Sequence, residues 1–357
     1  MSLLLSPLTI RSINFRNRIV VSPMCQYSSI DGFVNDWHLV HLGARAVGGA
    51  ALVMTEANAV SPEGRISPAD IGIWSDDHIP GLKRIVDFIH QQGSIAGTQL
   101  AHAGRKASHR EPWKGGAFIP QSEGGWKTVA PSAIPFIPAN ELPESLSKEG
   151  IQKVINDFVA AAKRSLQCGF RVVEIHAAHG YLLHQFYSPF SNHRTDEYGG
   201  SFENRIRLTM EVCGAVREVW PNELPLFIRV SATDWTEGGW TVDDTAELAK
   251  RLKPAGVDLV DCSSGANIPH VKIPAEPGYQ VPFAEAVKRR AGLLSGAVGF
   301  ISTPEQAEKI LEEGKADMIF LAREFLRNPN FPLWAAHQLG DEIEWPVQYL
   351  RAEFRKR

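Results

Sequence analysis

The sequence contains few cysteines, only four in 357 residues, and they lie far apart. No Cys-x-x-Cys pair is present, so neither an iron–sulfur cluster nor a zinc ribbon is expected. Sparse cysteines without a regular spacing are typical of a reducing compartment rather than of a disulfide-bonded scaffold. The four are Cys25, Cys168, Cys213 and Cys262.

Long apolar runs and an excess of one charge are also missing. Nothing approaches 18 consecutive apolar residues, and residues 3–5 are too few for the apolar part of a signal peptide. The 37 Lys and Arg nearly balance the 40 Asp and Glu, which gives no electrostatic reason to bind nucleic acid or an anionic membrane. The basic run 355–357 is expected to be a solvated tail. We therefore expect a globular cytoplasmic protein that binds neither nucleic acid nor membrane.

Eight short runs rich in Val, Ile, Leu and Ala recur along the chain, with stretches that can form helices between them. Near-continuous apolar runs are typical of parallel strands covered on both faces, and eight such units predict an α/β fold, a (β/α)8 barrel. A doubly wound sheet is the alternative, but its G-x-G-x-x-G dinucleotide fingerprint is absent. The predicted strands are 18–22, 51–57, 95–100, 172–177, 226–231, 259–263, 296–301 and 318–322. The predicted helices are 79–92, 148–167, 202–220, 242–253 and 304–313.

One connection, between the third and fourth predicted strands, is much longer than the others. Residues 104–147 within it are rich in Gly, Pro, Trp and Ser. Loops of this length in a compact domain are usually functional, and barrel enzymes place their active sites at the C-terminal ends of the strands. We expect residues 104–147 to form a cap within a single domain spanning residues 1–357. Before the first strand, residues 9–11 and 13–15 predict a hairpin that closes the bottom of the barrel.

A group of His and Tyr residues follows the fourth predicted strand. His176 and His179 are three residues apart, and Tyr181 comes two residues later. Two imidazole donors beside a phenol can polarise a carbonyl oxygen and deliver a proton nearby. The alternative is a metal site formed by His176, His179 and His184, although no carboxylate accompanies them at a matching spacing.

Two further positions suggest an anionic ligand at the C-terminal ends of the strands, the mouth of the predicted barrel. Arg229 lies in an otherwise apolar strand and needs an anionic or electron-rich partner, either a ligand or a structural ion pair with Asp234 or Glu174. Gly299 lies towards the end of the seventh predicted strand and Arg323 follows the eighth, at the end of the barrel where many barrels bind a phosphate group. The spacing therefore predicts a phosphate-bearing ligand without identifying it.

Cys25 and Tyr27 lie just past the first predicted strand. A thiol at this position can be a packing residue, but its place at a strand end next to a tyrosine favours a role in the site.

The sequence around this His and Tyr group resembles the old yellow enzyme family of FMN-dependent ene-reductases. The resemblance is strongest in residues 179–205, which include His179-Gly180-Tyr181 and the run from Asn192 to Arg205, and it extends from residue 8 to residue 351. Residues 22–27 and 346–351 resemble the thermophilic-like class of that family, which includes xenobiotic reductases. The resemblance implies a (β/α)8 barrel, bound FMN, and NADPH dehydrogenase or ene-reductase activity.

The resemblance also implies which residues contact the cofactor. Gln99 and Arg229 would bond to the pyrimidine edge of the flavin, where a cation stabilises the reduced ring. Gln280 would lie close to the phosphate region. Position 322, an alanine here, is often glycine in relatives. The complete set of implied FMN contacts is Pro23, Met24, Cys25, Ala57, Gln99, Arg229, Ser264, Gly299, Ala322 and Arg323.

For the substrate, the resemblance implies that His176 and His179 donate to the carbonyl oxygen, assisted by Tyr27. Tyr181 would protonate the α-carbon. Cys25 would tune the flavin potential and touch the substrate.

The implied reaction has two halves that share one site. NADPH, with NADH as the alternative, passes a hydride to FMN N5, and N5 passes it to the β-carbon of an α,β-unsaturated carbonyl compound. Enones, maleimides and nitro compounds are the implied substrates. Arg351 matches a C-terminal arginine that enters the pocket of a neighbouring subunit, which implies a homodimer or homotetramer. The alternative function is a metal-dependent hydrolase or lyase that uses His176, His179 and His184.

Overall fold

A computed structural model describes residues 1–354 and shows eight parallel strands closed into a barrel. The last barrel strand pairs with the first, Ile319 opposite Ile19, which completes the ring. The predicted (β/α)8 barrel is confirmed; the predicted basic tail 355–357 lies outside the described residues. The strands are β1 (Leu8–Ile10), β2 (Ile13–Phe15), β3 (Ile19–Val21), β4 (Leu52–Ala59), β5 (Ile95–Ala101), β6 (Val129–Ala130), β7 (Glu144–Ser145), β8 (Val172–Ala177), β9 (Leu226–Ser231), β10 (Leu259–Ser263), β11 (Leu294–Ala297) and β12 (Met318–Leu321). The barrel consists of β3 to β5 and β8 to β12.

Helices connect the barrel strands. All five predicted helices are present with both ends within one residue, and hydroxyl side chains cap several of them, as Thr241 does at its helix. None of the helices in residues 1–354 is long and apolar enough to cross a membrane. The helices are α1 (Asp36–Val47), α2 (Ile79–Gln91), α3 (Lys148–Cys168), α4 (Leu182–Tyr187), α5 (Phe202–Val219), α6 (Val242–Leu252), α7 (Val281–Ala291), α8 (Pro304–Glu312), α9 (Arg323–Arg327) and α10 (Phe331–Leu339).

An apolar floor fills the lower half of the barrel. The antiparallel hairpin of β1 and β2 contributes Ile10, Ile13 and Phe15 to it, each at most 5% exposed. The predicted hairpin at the barrel bottom is therefore confirmed. The strand residues that pack with the hairpin are Val20, Leu52, Met54, Val172, Phe227, Leu259, Met318 and Phe320.

The predicted bounds of the seventh barrel strand were wrong. The prediction was 296–301, but β11 spans Leu294–Ala297, with Leu294 opposite Leu259 of β10. The apolar run continues past the strand end, which misled the prediction. Gly299 (φ +119°) and Phe300 (φ +48°) have positive φ angles, which two successive residues of a regular strand do not adopt. Gly299 consequently lies in the loop above the strand.

The insertion 104–147 lies at the C-terminal ends of the barrel strands. It contains short 3-10 turns and one small pair of strands, β6 and β7. Its first turn is fastened to the loops that follow β8 and β10, because Lys106 donates to the carbonyl of His179 and Arg105 donates to the carbonyl of Asn267. The expected position of the cap at the barrel mouth agrees with these contacts.

Candidate active site

A polar layer lies directly above the apolar floor of the barrel. Its side chains are Gln99 of β5, Glu174 of β8, Arg229 of β9 and Asp261 of β10. Glu174, Arg229 and Asp261 each lie two residues after a floor residue of the same strand, and the strand register places Gln99 opposite Glu174. Gln99 Nε2 donates to Glu174 Oε1 over 2.7 Å, and Arg229 Nε lies 3.0 Å from Asp261 Oδ2. The four side chains are between 0 and 6% exposed. Gln99 and Arg229, predicted to contact one ligand, thus belong to one buried layer.

The structural partner expected for Arg229 was wrong. Asp261, not Asp234 or Glu174, forms its ion pair. The parallel register places Asp261 directly beside Arg229, whereas Glu174 is level with Phe227. Asp234 lies beyond the end of β9 and accepts hydrogen bonds elsewhere. Asp261 could have been identified from the sequence, because it is a charged residue within an apolar run, as Arg229 is.

His176, His179 and Tyr181 meet at the end of β8, as predicted. The ring centres of His176 and His179 are 5.2 Å apart, and those of His176 and Tyr181 are 5.1 Å apart. His176 Nδ1 is buried and has no hydrogen-bond partner within residues 1–354. His179 Nε2 lies 2.7 Å from Ser263 Oγ.

The protonation of this group follows from its surroundings. Burial, followed by the positive charge of Arg229, lowers the pKa of His176 and of His179 well below the ordinary value. Burial, with smaller effects of Cys25 and Asp70, raises the pKa of Tyr181 well above its ordinary value. At neutral pH the site therefore presents two neutral imidazoles and a phenol that keeps its proton.

His184 fixes the turn that leads from His179 to Tyr181. Its Nδ1 accepts the N–H of Gly180 over 2.9 Å, so the ring proton is on Nε2, which donates to Asp234 Oδ1 over 2.9 Å. A Cβ at Gly180, where φ is +71°, would lie 2.3 Å from the carbonyl oxygen of Ala266. The turn before Tyr181 thus requires this glycine and is held by this histidine.

The alternative metal site is not formed. Both ring nitrogens of His184 are engaged with protein groups, so it cannot join His176 and His179 as a ligand. Across residues 1–354, no group of three or more His, Cys, Asp or Glu side chains could hold a metal ion.

Lys106 is a site residue that the sequence did not reveal. Its Nζ donates to the carbonyls of His179 (2.8 Å) and Ala266 (2.9 Å) and lies 5.1 Å from the ring centre of Tyr181. Burial, and then the charge of Arg105, lowers the pKa of Lys106 to about 7. The cap sequence has no periodicity that would have placed this lysine at the mouth.

The loop after β3 brings Pro23, Met24, Cys25 and Tyr27 to the same mouth, all half-buried. The thiol of Cys25 and the phenol of Tyr27 lie next to each other, and each affects the pKa of the other. Burial, followed by the charges of Glu56 and Asp70, raises the pKa of Cys25 well above its ordinary value. This cysteine is consequently a neutral thiol rather than a thiolate nucleophile.

Glu56 fixes this loop, since its Oε2 accepts the N–H of Gln26 over 2.9 Å. Ala57 on the same strand is buried and lies opposite Gln99. The register therefore connects the loop with the polar layer.

A cavity of about 400 Å³ lies over the ends of β11 and β12. Gly299, Ala322 and Arg323, three of the residues predicted to contact FMN, line it together with Gln280. Gln280 Oε1 accepts the hydroxyl of Ser264 over 2.6 Å, and its Nε2 donates to the carbonyl of Val298. An exposed guanidinium beside a glycine turn suits a phosphate dianion.

Arg351 is not brought to the mouth within this chain. It is exposed on a 3-10 turn, Val347–Ala352, and lines a separate cavity with His337, Trp345 and Phe354.

These features fit a flavin nucleotide. A cationic cavity that suits a phosphate lies over the ends of β11 and β12, and the buried polar layer carries the guanidinium of Arg229. The buried His176 Nδ1 has no hydrogen-bond partner in the described part of the chain. Such a barrel and site define a flavin-dependent oxidoreductase as the class of protein.

The chain belongs to the NADH:flavin oxidoreductase / NADH oxidase family, whose model matches residues 3–342, and hence to the old yellow enzyme family. It is an NAD(P)H:flavin oxidoreductase with FMN as its cofactor.

Curated relatives cover almost the whole chain. The NADPH dehydrogenase of Bacillus cytotoxicus (strain DSM 22905) is 52% identical over 352 residues, 98% of this chain and 96% of that protein. The NADPH dehydrogenase of Geobacillus thermodenitrificans (strain NG80-2) is 50% identical and covers 98% of both chains.

Solved structures show the same barrel. Morphinone reductase in complex with tetrahydroNAD is 28% identical, with a TM-score of 0.78 over 96% of this chain and 92% of that one. A 2-naphthoyl-CoA reductase is 27% identical, with a TM-score of 0.85 over 95% of this chain and 52% of that one.

Proposed function

We propose that this oxidoreductase reduces the carbon–carbon double bond of α,β-unsaturated carbonyl compounds, such as enones and maleimides. The observation that carries the proposal is the group of His176, His179 and Tyr181, two neutral imidazoles and a protonated phenol around one point of the mouth. FMN, when bound, supplies the two-electron redox chemistry, with NAD(P)H as the electron source. Nitro compounds are further candidate substrates.

The cofactor-binding role is divided between the cavity and the polar layer. Arg323 would pair with the phosphate, with the backbone N–H groups of Gly299 and Ala322 beside it, and Ser264 would contact the ribityl chain. Gln99 and Arg229 would bond to the pyrimidine edge of the ring. The residues that would line the ring are Pro23, Met24, Cys25 and Ala57.

The histidines would polarise the substrate carbonyl. His179 Nε2 can accept the hydroxyl proton of Ser263, which leaves the ring proton on Nδ1 for a ligand. His176 supplies the second donor. Preorganised donors of this kind contribute about 10²–10³-fold each to the rate, because they strengthen as charge develops on the oxygen.

Tyr181 would deliver the proton to the α-carbon. Its raised pKa keeps the phenolic proton in place until carbanion character develops at that carbon. Lys106 holds the His179 carbonyl and faces the ring of Tyr181, so it would position both groups. Tyr27 would assist at the carbonyl side.

A visible absorption spectrum followed by two anaerobic additions tests the proposal. We expect flavin bands in the purified protein, bleaching with NADPH, and return of the bands with 2-cyclohexenone. Bands that bleach but do not return with any enone, maleimide or nitro compound would contradict the proposed substrate class. A protein that stays colourless after FMN is added would contradict the cofactor site as well.

We further propose that the protein is a homo-oligomer in which Arg351 reaches the mouth of a neighbouring copy. The support is that Arg351 is exposed beside Val347 and Leu350, which are 74% and 51% exposed. Arg351→Ala should raise the KM for substrate without loss of FMN. An unchanged KM, or a monomeric mass in solution, would contradict this role.

A further inference from the structure

Two buried carboxyl groups lie on either side of one arginine beneath the mouth. Glu174 on β8 and Asp261 on β10 flank β9, which carries Arg229 between them, and both acids are 0% exposed. Glu174 Oε1 accepts the amide of Gln99. The remaining oxygens, Glu174 Oε2 and both of Asp261, have no hydrogen-bond partner within residues 1–354. The layer therefore contains two carboxyl groups and one guanidinium.

The charges in this layer do not balance if both acids are ionised. Arg229 then offsets Asp261, its ion-pair partner at 3.0 Å, and Glu174 is left as an unpaired buried anion. Burial of an unpaired charge is so costly that the group takes up a proton instead. Burial, and then the charge of Asp261, raises the pKa of Glu174 to about 8. Asp261 has a pKa raised only to about 6, because Arg229 opposes the effect of burial.

The groups that face Glu174 are few. β9 contributes the cation Arg229, and β10 contributes Asp261; Gln99 on β5 is neutral. His176, two residues along β8, is held neutral by its low pKa. Asp261, with its lower pKa, is already ionised above about pH 7, so Glu174 is the carboxyl group of this layer whose charge changes around pH 8.

We propose that Glu174, with Asp261 and Arg229, is a proton-holding group that adjusts the charge beneath the bound FMN. The proposal rests on the placement of the flavin ring over Gln99 and Arg229 given above. When two electrons from an external reductant add negative charge to the ring, one proton from solvent binds to Glu174 Oε2. When the electrons leave, that proton returns to solvent.

The sign of the pH dependence follows from this exchange. Below about pH 8 Glu174 already holds its proton, so reduction changes nothing at Glu174. Above that pH it is ionised while the flavin is oxidised, and the added negative charge raises its pKa so that it takes up a proton. The midpoint potential should therefore fall more steeply with pH above about 8. The extra slope is up to about 30 mV per pH unit, the value of a tenfold change for a two-electron couple.

Spectroelectrochemical titration of the FMN-loaded protein between pH 6 and 10 tests this inference. Glu174→Gln keeps the shape and the hydrogen-bond capacity but cannot ionise. We expect its potential to equal that of the wild type at pH 7 and to lie above it at pH 9.5, with no steepening. If the midpoint potentials of the two proteins had the same dependence on pH, the proposal would be overturned. Glu308→Gln, a buried glutamate on α8 that accepts the N–H groups of residues 3 and 4, is the matched control and should show the wild-type curve.

A second variant decides the question if Glu174→Gln fails to hold FMN. Asp261→Asn removes the negative charge that raises the pKa of Glu174, so the steepening should begin at a lower pH than in the wild type. Steepening at an unchanged pH would overturn the proposal. Infrared difference spectra of reduction at pH 9 should also show a carboxylate band replaced by a protonated carboxyl band, and this change should be absent in Glu174→Gln. A wild-type protein that binds no FMN contradicts the cofactor placement, whereas bound FMN without steepening contradicts only this inference.

Discussion

Replacing Asp234 by asparagine tests how the mouth is supported. Asp234 is 2% exposed and accepts three hydrogen bonds: from His184 Nε2 (2.9 Å), from Ser188 Oγ (2.6 Å) and from the N–H of Trp240 (2.9 Å). His184 cannot change its tautomer, because its Nδ1 accepts the N–H of Gly180. The asparagine has only one carbonyl oxygen, so in either orientation its NH₂ group meets at least one of these donors.

The expected cost follows from that mismatch. A buried donor without an acceptor costs about 1–3 kcal/mol, and the remaining bonds lose the strengthening that a charged acceptor provides. We expect Asp234→Asn to lower the free energy of unfolding by about 3 kcal/mol. Although burial alone would raise it, the pKa of Asp234 is lowered overall by His184 and by its hydrogen bonds. The stabilisation is therefore present above the unfolded-state pKa of about 4 and is lost as the pH falls through the lower folded-state value.

Urea unfolding of the FMN-free protein at pH 7, followed by tryptophan fluorescence, measures this difference without a contribution from ligand binding. Asp36→Asn is the control, since Asp36 forms an exposed ion pair with Arg84 and should change stability by less than about 0.5 kcal/mol. If Asp234→Asn were as stable as the control, the account of Asp234 as a required triple acceptor would be wrong. The difference between wild type and Asp234→Asn should also shrink below about pH 4.

Two further variants examine the chemistry of the mouth. His176→Ala should slow single-turnover enone reduction about 10²–10³-fold, because one preorganised donor is lost, while FMN affinity measured by fluorescence stays within a few-fold. Loss of FMN with a normal rate would reverse this assignment. Cys25→Ser should remain folded and bind FMN with a changed midpoint potential, because a thiol next to the ring is exchanged for a more polar hydroxyl. An unchanged potential would leave Cys25 as a packing residue.

Much of the barrel could be predicted because its strands are buried on both faces. The fourth, fifth and sixth barrel strands have the predicted ends, since turn or polar residues bound each apolar run. β11 was misplaced because hydrophobicity continues through Gly299 and Phe300, whose left-handed backbone cannot be read from an apolar pattern. Helix α1 was not predicted, although Asn35 provides a capping box at its start.

The site was predictable where residues follow a strand end, as His176 and Arg229 do. It was not predictable where two distant segments meet. The bond from Lys106 to the His179 carbonyl joins the cap to the β8 loop, and nothing in the spacing of either segment indicates it. The pairing of Arg229 with Asp261 depends on strand register, which the sequence leaves open until the barrel is closed.

The hairpin of β1 and β2 has a consequence for the order of events at the mouth. Because Ile10, Ile13 and Phe15 plug the lower end, a molecule that binds above the polar layer enters and departs through the same opening. An electron donor and an electron acceptor that use this opening must take turns, and each obstructs the other when it is in excess. We therefore expect substrate inhibition both by NAD(P)H and by the proposed substrate, because the barrel offers both of them the same opening.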